Sequence, residues 1–163
     1  MSGHDAELRD SIELAIYREI GARNFYRRIS EKIENEEGVE KFAQLASDED
    51  GHRIKLEGWF EKLVGETFSA HQEKLEESEI RGYEVEEQTG ALEALNIAIE
   101  AEANARDFYA ERAKETDIPE LSELFRNLSD EEAGHFNLLE AERNAIIGGF
   151  YWFDMDSTSF LED

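Results

Sequence analysis

The stretch SDEDGHRIKLE (47–57), with its near copy DEEAGHFNLLE at 130–140, decides the fold of this chain. Each copy carries a Glu-x-x-His pair inside a helical pattern of apolar residues. At positions i and i+3 of a helix, both side chains lie on the same face. A polar pair on the face that should meet the core is informative, because such positions normally hold apolar side chains.

The two stretches belong to a longer internal repeat. Shifting the chain by 83 residues lays IELAIYREIGARNFY (12–26) over LNIAIEAEANARDFY (95–109), and the alignment continues without a gap to residue 58 and residue 141. Of the 47 aligned positions, 16 are identical, including aromatic residues and both histidines. A shared acidic bias cannot match such residues at one offset, so the sequence contains two copies of one helical hairpin.

Each copy predicts two amphipathic helices, since apolar residues recur at three- and four-residue steps. In the first copy the helices span about 6–34 and 38–64, and NEEGVE (35–40) interrupts the pattern. In the second copy, Asp117-Ile-Pro119 restarts the chain with a capping residue and a helix-opening proline.

The connection over 65–90 is too long for a tight turn. A long crossover of this kind joins the two hairpins of a ferritin-like bundle. We therefore predict an all-α, ferritin-like four-helix bundle of two repeated hairpins. The predicted organisation is a bundle over 1–147, with hairpins at about 6–64 and 91–147, followed by an aromatic C-terminal tail at 148–163.

Composition limits the protein class. The 163 residues suffice for one domain, and 40% of them are hydrophobic. The absence of cysteine excludes disulfides, zinc fingers and thiolate-bound iron. No segment approaches the roughly 18 apolar residues of a membrane span, and the first residues lack the pattern of a signal peptide. These features favour a cytoplasmic protein.

The net charge of −24 is extreme for this length. Such a field repels nucleic acid and anionic membranes, so neither is expected as a partner. Two interpretations of the charge stay open: a highly soluble surface, or adaptation to a high-salt cytoplasm in which counterions screen the repulsion. The ratio of six lysines to 31 glutamates favours the second.

Six ionisable residues lie on the apolar stripes, where burial of even one unpaired carboxylate costs several kcal/mol. Two divalent metal ions would neutralise the four carboxylates, and neutral imidazoles would complete the ligand set. A Glu from each of two helices and a Glu-x-x-His from each of the other two form the dinuclear site of such bundles. Oxygen and imidazole ligands without sulfur suit iron or manganese. The candidate ligands are Glu19, Glu49, His52, Glu102, Glu132 and His135.

Tyr26 and Tyr109 each follow a candidate ligand, Glu19 or Glu102, by seven residues, which is two helical turns. Core packing accounts for their rings. Their hydroxyls are expected to orient ligand carboxylates by donating hydrogen bonds to them.

With these residues identified, the chain resembles the rubrerythrin branch of the ferritin-like di-iron family over roughly 10–145. The resemblance rests on EIGARNFY, DEDGH, EAEANARDFY and DEEAGH. It implies two iron ions per chain, with manganese as an alternative, and a reaction with peroxide or dioxygen. It also implies that Glu19 and Glu102 are terminal ligands, that Glu49 and Glu132 bridge the metals, and that His52 and His135 bind one metal each.

Two departures from the family pattern matter. Rubrerythrins proper carry a cysteine-ligated rubredoxin module, and this chain has no cysteine, so electrons are expected from a separate rubredoxin-like protein or from Fe²⁺. Rubrerythrins proper also tend to have a further glutamate one turn after the ligand of the third helix. Ala105 stands at that position here, mirrored by Ala22.

The sequence thus predicts a di-iron oxidoreductase that reduces H₂O₂ or O₂ with oxidation of Fe(II), in peroxide or iron detoxification. An iron-storage protein without a released product is the alternative, and oxygenation of an organic substrate is a third possibility that would need an apolar tunnel. A homodimer is expected. The tail over 148–163 would dock on its own bundle or a dimer mate, or be bound by a partner such as a shell protein.

Overall fold

A computed structural model of the chain describes residues 3–80 and 90–148, and these residues form five helices and no strand. The helices are α1 (Gly3–Lys32), α2 (Glu36–Val64), α3 (Gln72–Glu77), α4 (Gly90–Glu115) and α5 (Pro119–Gly148). The predicted all-α helical bundle is confirmed. None of the helices described is long and apolar enough to cross a membrane. The predicted tail beyond Gly148, and residues 81–89 of the crossover, lie outside the described residues.

The first hairpin pairs α1 with α2 through a three-residue connection. Asn35 caps α2, since its side-chain oxygen accepts a hydrogen bond of 3.0 Å from the backbone N–H of Gly38. The predicted break between the two helices is present, but it lies at residues 33–35, so most of the stretch 35–40 already belongs to the first turn of α2. Glu36 and Glu37 break the apolar stripe there, and acidic residues are favourable beside the N-terminal end of the helix dipole.

The second hairpin pairs α4 with α5, which begins at Pro119 as predicted. The end of α2 is set by Gly65, whose φ of 83° is left-handed and whose N–H bonds the carbonyl of Glu61 at 2.7 Å. From there the crossover returns along α1 and contains the short α3.

Several contacts hold the described part of the crossover on α1, and two of them involve Tyr17 and Gly21. The backbone N–H of His71 donates a hydrogen bond of 2.9 Å to the hydroxyl of the buried Tyr17. Further along, the carbonyl oxygen of Ser78 lies so close to Gly21 that a Cβ there would be 2.3 Å from it. Only glycine permits this approach of backbone to helix.

The core consists of two apolar clusters, one on each side of the bundle's middle, and all four long helices contribute to both. The repeat relates them, because Phe42 of the first cluster matches Phe125 of the second. Between the two clusters, near the middle of the bundle, all four long helices have buried polar residues. The site therefore lies in a layer with apolar packing above and below it.

Candidate metal centre

The structure brings the six candidate ligands together in that middle layer, one or two from each long helix. Each is at least 92% buried, with relative exposures between 1% and 8%. Two of the helices contribute a lone glutamate and the other two a Glu-x-x-His pair, because the repeat places equivalent residues at equivalent heights. The positions are Glu19 on α1, Glu49 and His52 on α2, Glu102 on α4, and Glu132 and His135 on α5.

Their oxygen and nitrogen atoms fall into two groups of four, and within each group the atoms lie within 4.8 Å of one another. Glu49 and Glu132 belong to both groups. The first group adds Glu19 and His52 to them, and the second adds Glu102 and His135. Each group has three carboxylates and one imidazole, and either could hold a metal ion.

The two groups are related by the internal repeat to within a few tenths of an ångström. His52 Nδ1 lies 2.9 Å from Glu132 Oε1, and His135 Nδ1 lies 3.0 Å from Glu49 Oε1. The corresponding distances to Glu19 and Glu102 are 3.4 Å and 3.3 Å. The two imidazole rings are stacked, with centroids 6.1 Å apart. Each histidine therefore reaches a carboxylate of its own hairpin and one of the other hairpin.

Seven buried side-chain atoms in the described residues lack a hydrogen-bond partner, and six of them belong to the candidate ligands, one from each. Although Nδ1 of His52 is within ion-pair distance of Glu132, the angles do not meet those of a hydrogen bond. Buried polar atoms are normally satisfied, so a set that converges without partners calls for another species. Divalent cations would supply it, because they accept free electron pairs and offset negative charge, and two of them would balance the four carboxylates.

Without metal, the site resists holding four negative charges. Burial first, and repulsion from neighbouring carboxylates second, raise the pKa values of Glu49 and Glu132 well above the ordinary value. Glu102 differs: burial opposes ionisation, but the close approach of Glu132 and of the His135 imidazole, together with the hydrogen bond that Tyr26 donates, lowers its pKa overall. Two of the four carboxylates therefore favour the protonated form when no cation is bound.

The pKa values of the two imidazoles are raised as well. Burial acts to lower their pKa values, but the adjacent carboxylates outweigh it and raise the pKa of His52 to about 10 and that of His135 to about 9. Protons on these nitrogens and carboxylates occupy the place that metal ions would take, because ligands must lose their protons to bind a metal.

The two tyrosines reach across the interface between the hairpins. The Tyr26 hydroxyl donates a hydrogen bond of 2.5 Å to Glu102 Oε1, and the Tyr109 hydroxyl donates one of 2.5 Å to Glu19 Oε1. Each tyrosine thus holds the lone glutamate of the opposite hairpin rather than that of its own helix. Burial and the nearby carboxylates raise both tyrosine pKa values, so the hydroxyls keep their protons.

The histidines have outer partners that the sequence analysis did not identify. Nε2 of His135 lies 3.0 Å from Asp48 Oδ2, and Nε2 of His52 contacts Glu131 Oε2. Asp48 and Glu131 are equivalent in the repeat, and each directly precedes a candidate ligand. A carboxylate that accepts the Nε2 proton leaves Nδ1 free to face the metal site. The sequence does show an acidic residue directly before Glu49 and Glu132, but in a chain with 41 acidic residues this position was not distinctive.

The two arginines that follow Glu19 and Glu102 by four residues are occupied elsewhere. Arg23 forms an ion pair of 2.8 Å with Asp50, and Arg106 pairs with its neighbour Asp107 at 3.0 Å while lying over the ring of Phe136. These cations are therefore directed away from the four buried carboxylates.

Comparisons with known proteins agree with this arrangement. The family model described as Rubrerythrin matches residues 10–143, well over half of the chain. Among solved structures, a hypothetical protein from Pyrococcus furiosus is similar, with a TM-score of 0.77 and 29% identity over 89% of this chain and 93% of that one. The search of curated proteins gave no match.

The part of the chain that the structure describes is wholly helical and loop, with no evident rubredoxin module. Its two hairpins, the inward Glu-x-x-His pairs and the match over 10–143 lead to one conclusion. The chain belongs to the rubrerythrin family of ferritin-like di-iron proteins.

Proposed function

We propose that this protein is a di-iron oxidoreductase that reduces H₂O₂ or O₂ while Fe(II) is oxidised, in peroxide or iron detoxification. The observation that carries the proposal is the set of six buried ligand atoms, one from each candidate residue, that converge without hydrogen-bond partners. Two iron ions held there would supply one electron each to a two-electron reduction. Electrons would be restored by a rubredoxin-like protein or by further Fe²⁺.

The residues of the site would have different roles in this reaction. Glu49 and Glu132, which belong to both groups of ligand atoms, would bridge the two ions. The tyrosine hydroxyls would fix the orientation of Glu19 and Glu102, and as protonated donors they would add no negative charge to the centre. The apolar clusters keep water from the two faces of the layer that they cover and so strengthen the electrostatic interactions there.

The test compares the purified wild-type protein with the double variant Glu49→Ala, Glu132→Ala. We expect about two irons per chain in the wild type, since two ligand groups are present, and turnover of peroxide with Fe²⁺ or a reductant. Both should be lost in the variant. The matched control is Glu57→Ala, Glu140→Ala, which removes two repeat-related carboxylates from the same helices eight residues further along.

Wild-type turnover no faster than that of the double variant would refute the enzymatic proposal. A folded wild-type protein that takes up no Fe²⁺ would refute the metal site as well. Iron uptake without turnover, in an assembly large enough to enclose a mineral core, would favour storage instead.

A further inference from the structure

A cavity of about 230 Å³ reaches the candidate metal centre from the side of the bundle, between α1 and α4. Its lining begins at Arg18 and Asn104, which are exposed, and ends at the buried carboxylates of the centre. The inner end is therefore made of acidic oxygens. The cavity thus connects the outer surface of α1 and α4 with the ligand groups themselves.

The walls between these ends are apolar. Ala22 and Phe25 form one side and their repeat equivalents Ala105 and Phe108 form the other. Each alanine follows Glu19 or Glu102 by three residues and so lies on the same helix face as that ligand. The single methyl groups of Ala22 and Ala105 leave space directly beside the metal centre that a longer side chain would fill.

The size of this space exceeds what hydrogen peroxide requires. The 230 Å³ includes the space beside Glu19, Glu49, Glu102 and Glu132 that metal ions would take. An apolar cavity of about 150 Å³ in another protein accommodates benzene, so the space left between the apolar walls suits an alkyl or phenyl group of about that size. The aromatic and methyl walls suit such a group, since burying it removes apolar surface from water. The apolar walls disfavour burial of a charged group, and the carboxylate oxygens at the inner end can accept a hydrogen bond from a neutral molecule.

We propose that the cavity binds neutral organic hydroperoxides, with the organic group between Ala22, Phe25, Ala105 and Phe108 and the –OOH group at the carboxylate end. The inference rests on the proposed function and names its substrate class. Reduction of ROOH by two Fe(II) breaks the O–O bond, takes up two protons, and gives ROH, water and two Fe(III). Atoms and charge balance, and Fe(II) is the reductant.

The first test measures binding without turnover. The probe is cumyl alcohol, the unreactive product of cumene hydroperoxide, added to the full-length metal-free and metal-loaded protein labelled with ¹³C at alanine methyl groups. We expect the Ala22 and Ala105 methyl resonances to shift with saturation, while that of Ala141, which is exposed on α5, stays unchanged. Uniform or absent shifts would overturn the proposal, and this readout needs no variant.

The second test measures substrate preference in the iron-loaded protein. The preference is the ratio of kcat/KM for cumene hydroperoxide to kcat/KM for H₂O₂. Ala105→Leu and Ala22→Leu should each lower this ratio by about tenfold or more, because the longer side chain fills the space of the organic group. Ala141→Leu should leave the ratio unchanged. If the wild type reduces H₂O₂ but not cumene hydroperoxide, the cavity proposal fails and the proposed function stands. The same holds if the ratio in both leucine variants equals that of the wild type. If neither peroxide is reduced, both fail.

Discussion

Asp48 on α2 lies 3.0 Å from Nε2 of His135 on α5, so a carboxylate of one hairpin orients the candidate metal-binding imidazole of the other. The repeat reproduces the arrangement with Glu131 and His52. Both outer carboxylates are substantially exposed, with side-chain exposures of 38% for Asp48 and 51% for Glu131. The histidines are thus held from the solvent side while their Nδ1 atoms face inward.

Replacing these outer partners should weaken metal binding without removing a ligand. Asp48→Asn and Glu131→Gln should each reduce iron affinity by about 10- to 100-fold, because a lost outer partner no longer fixes the tautomer and orientation of its histidine. Competition with a chelator of known affinity measures the effect. Glu40→Gln, an exposed carboxylate of the same helix as Asp48, is the control and should bind iron like the wild type. Equal affinities in all four proteins would exclude a positioning role.

The tyrosine hydroxyls should contribute to the stability of the metal-free fold. Tyr26→Phe removes the donor to Glu102 and leaves a buried carboxylate oxygen unpaired, at a cost of about 1–3 kcal/mol. Urea denaturation of metal-free protein measures the free energy of unfolding. Tyr109→Phe should give a similar loss, because its bond to Glu19 has the same length of 2.5 Å. Losses that differ by more than the experimental error would show that the two halves are not energetically equivalent.

The close approach of the crossover to α1 predicts opposite effects for two glycine substitutions. Gly21→Ala should destabilise the fold by about 1–3 kcal/mol, because its Cβ would meet the Ser78 carbonyl at 2.3 Å and the backbone must move. Gly58→Ala on α2 meets no atom within 4 Å and should stabilise the protein by about 0.5–1 kcal/mol through helix propensity. Thermal or urea unfolding compares the two, and destabilisation by both would refute the steric explanation.

The stability of the metal-free protein should fall as pH rises from neutral. The folded-state pKa values of His52 and His135, about 10 and about 9, exceed the unfolded value of about 6.5. The folded state therefore retains protons that the unfolded state loses, so their contribution is complete below about pH 6.5 and disappears as the pH passes 9 and 10. The raised pKa values of Glu49 and Glu132 act in the same direction.

Urea denaturation between pH 7 and pH 10, with and without bound metal, tests this expectation. The metal-loaded protein, whose ligands have already lost their protons, should show a weaker pH dependence. The Glu49→Ala, Glu132→Ala variant should lose much of the dependence, because fewer coupled groups remain. A metal-free protein whose stability is constant or rises over this range would contradict the assigned protonation.

The sequence was sufficient to predict the helices and the inward residues. A gapless repeat of 47 positions, at an offset of 83 residues, places each polar residue of the apolar stripes at an equivalent position in both copies. It was not sufficient to predict which residues of the two hairpins face each other. Tyr26 was expected to orient a ligand carboxylate, but periodicity assigns a side chain to a face and not to a partner, so its bond to Glu102 required the structure.

The sequence analysis also did not predict that the crossover docks on α1, although the two copies of the repeat differ at the residues that contact it. Tyr17 and Gly21, which contact the crossover, correspond to Glu100 and Asn104 in the second copy, and both of these are exposed. The two copies therefore differ where only one of them is covered. From the sequence alone, this difference between the two copies could not be assigned to the crossover, because the path of the crossover was not known.

The division of ligands between the hairpins also bears on how such a chain could have originated. Each group of metal-binding atoms takes three residues from one hairpin and one from the other, so neither half contains a complete site. If the chain arose by duplication of a single hairpin gene, the ancestral product had to pair with a second copy of itself to bind two ions. The fusion would then have preserved a dimer inside one polypeptide. Hairpins produced as two separate chains should, on this view, bind iron when they pair, with each other or with a second copy of themselves, and fail to do so as monomers.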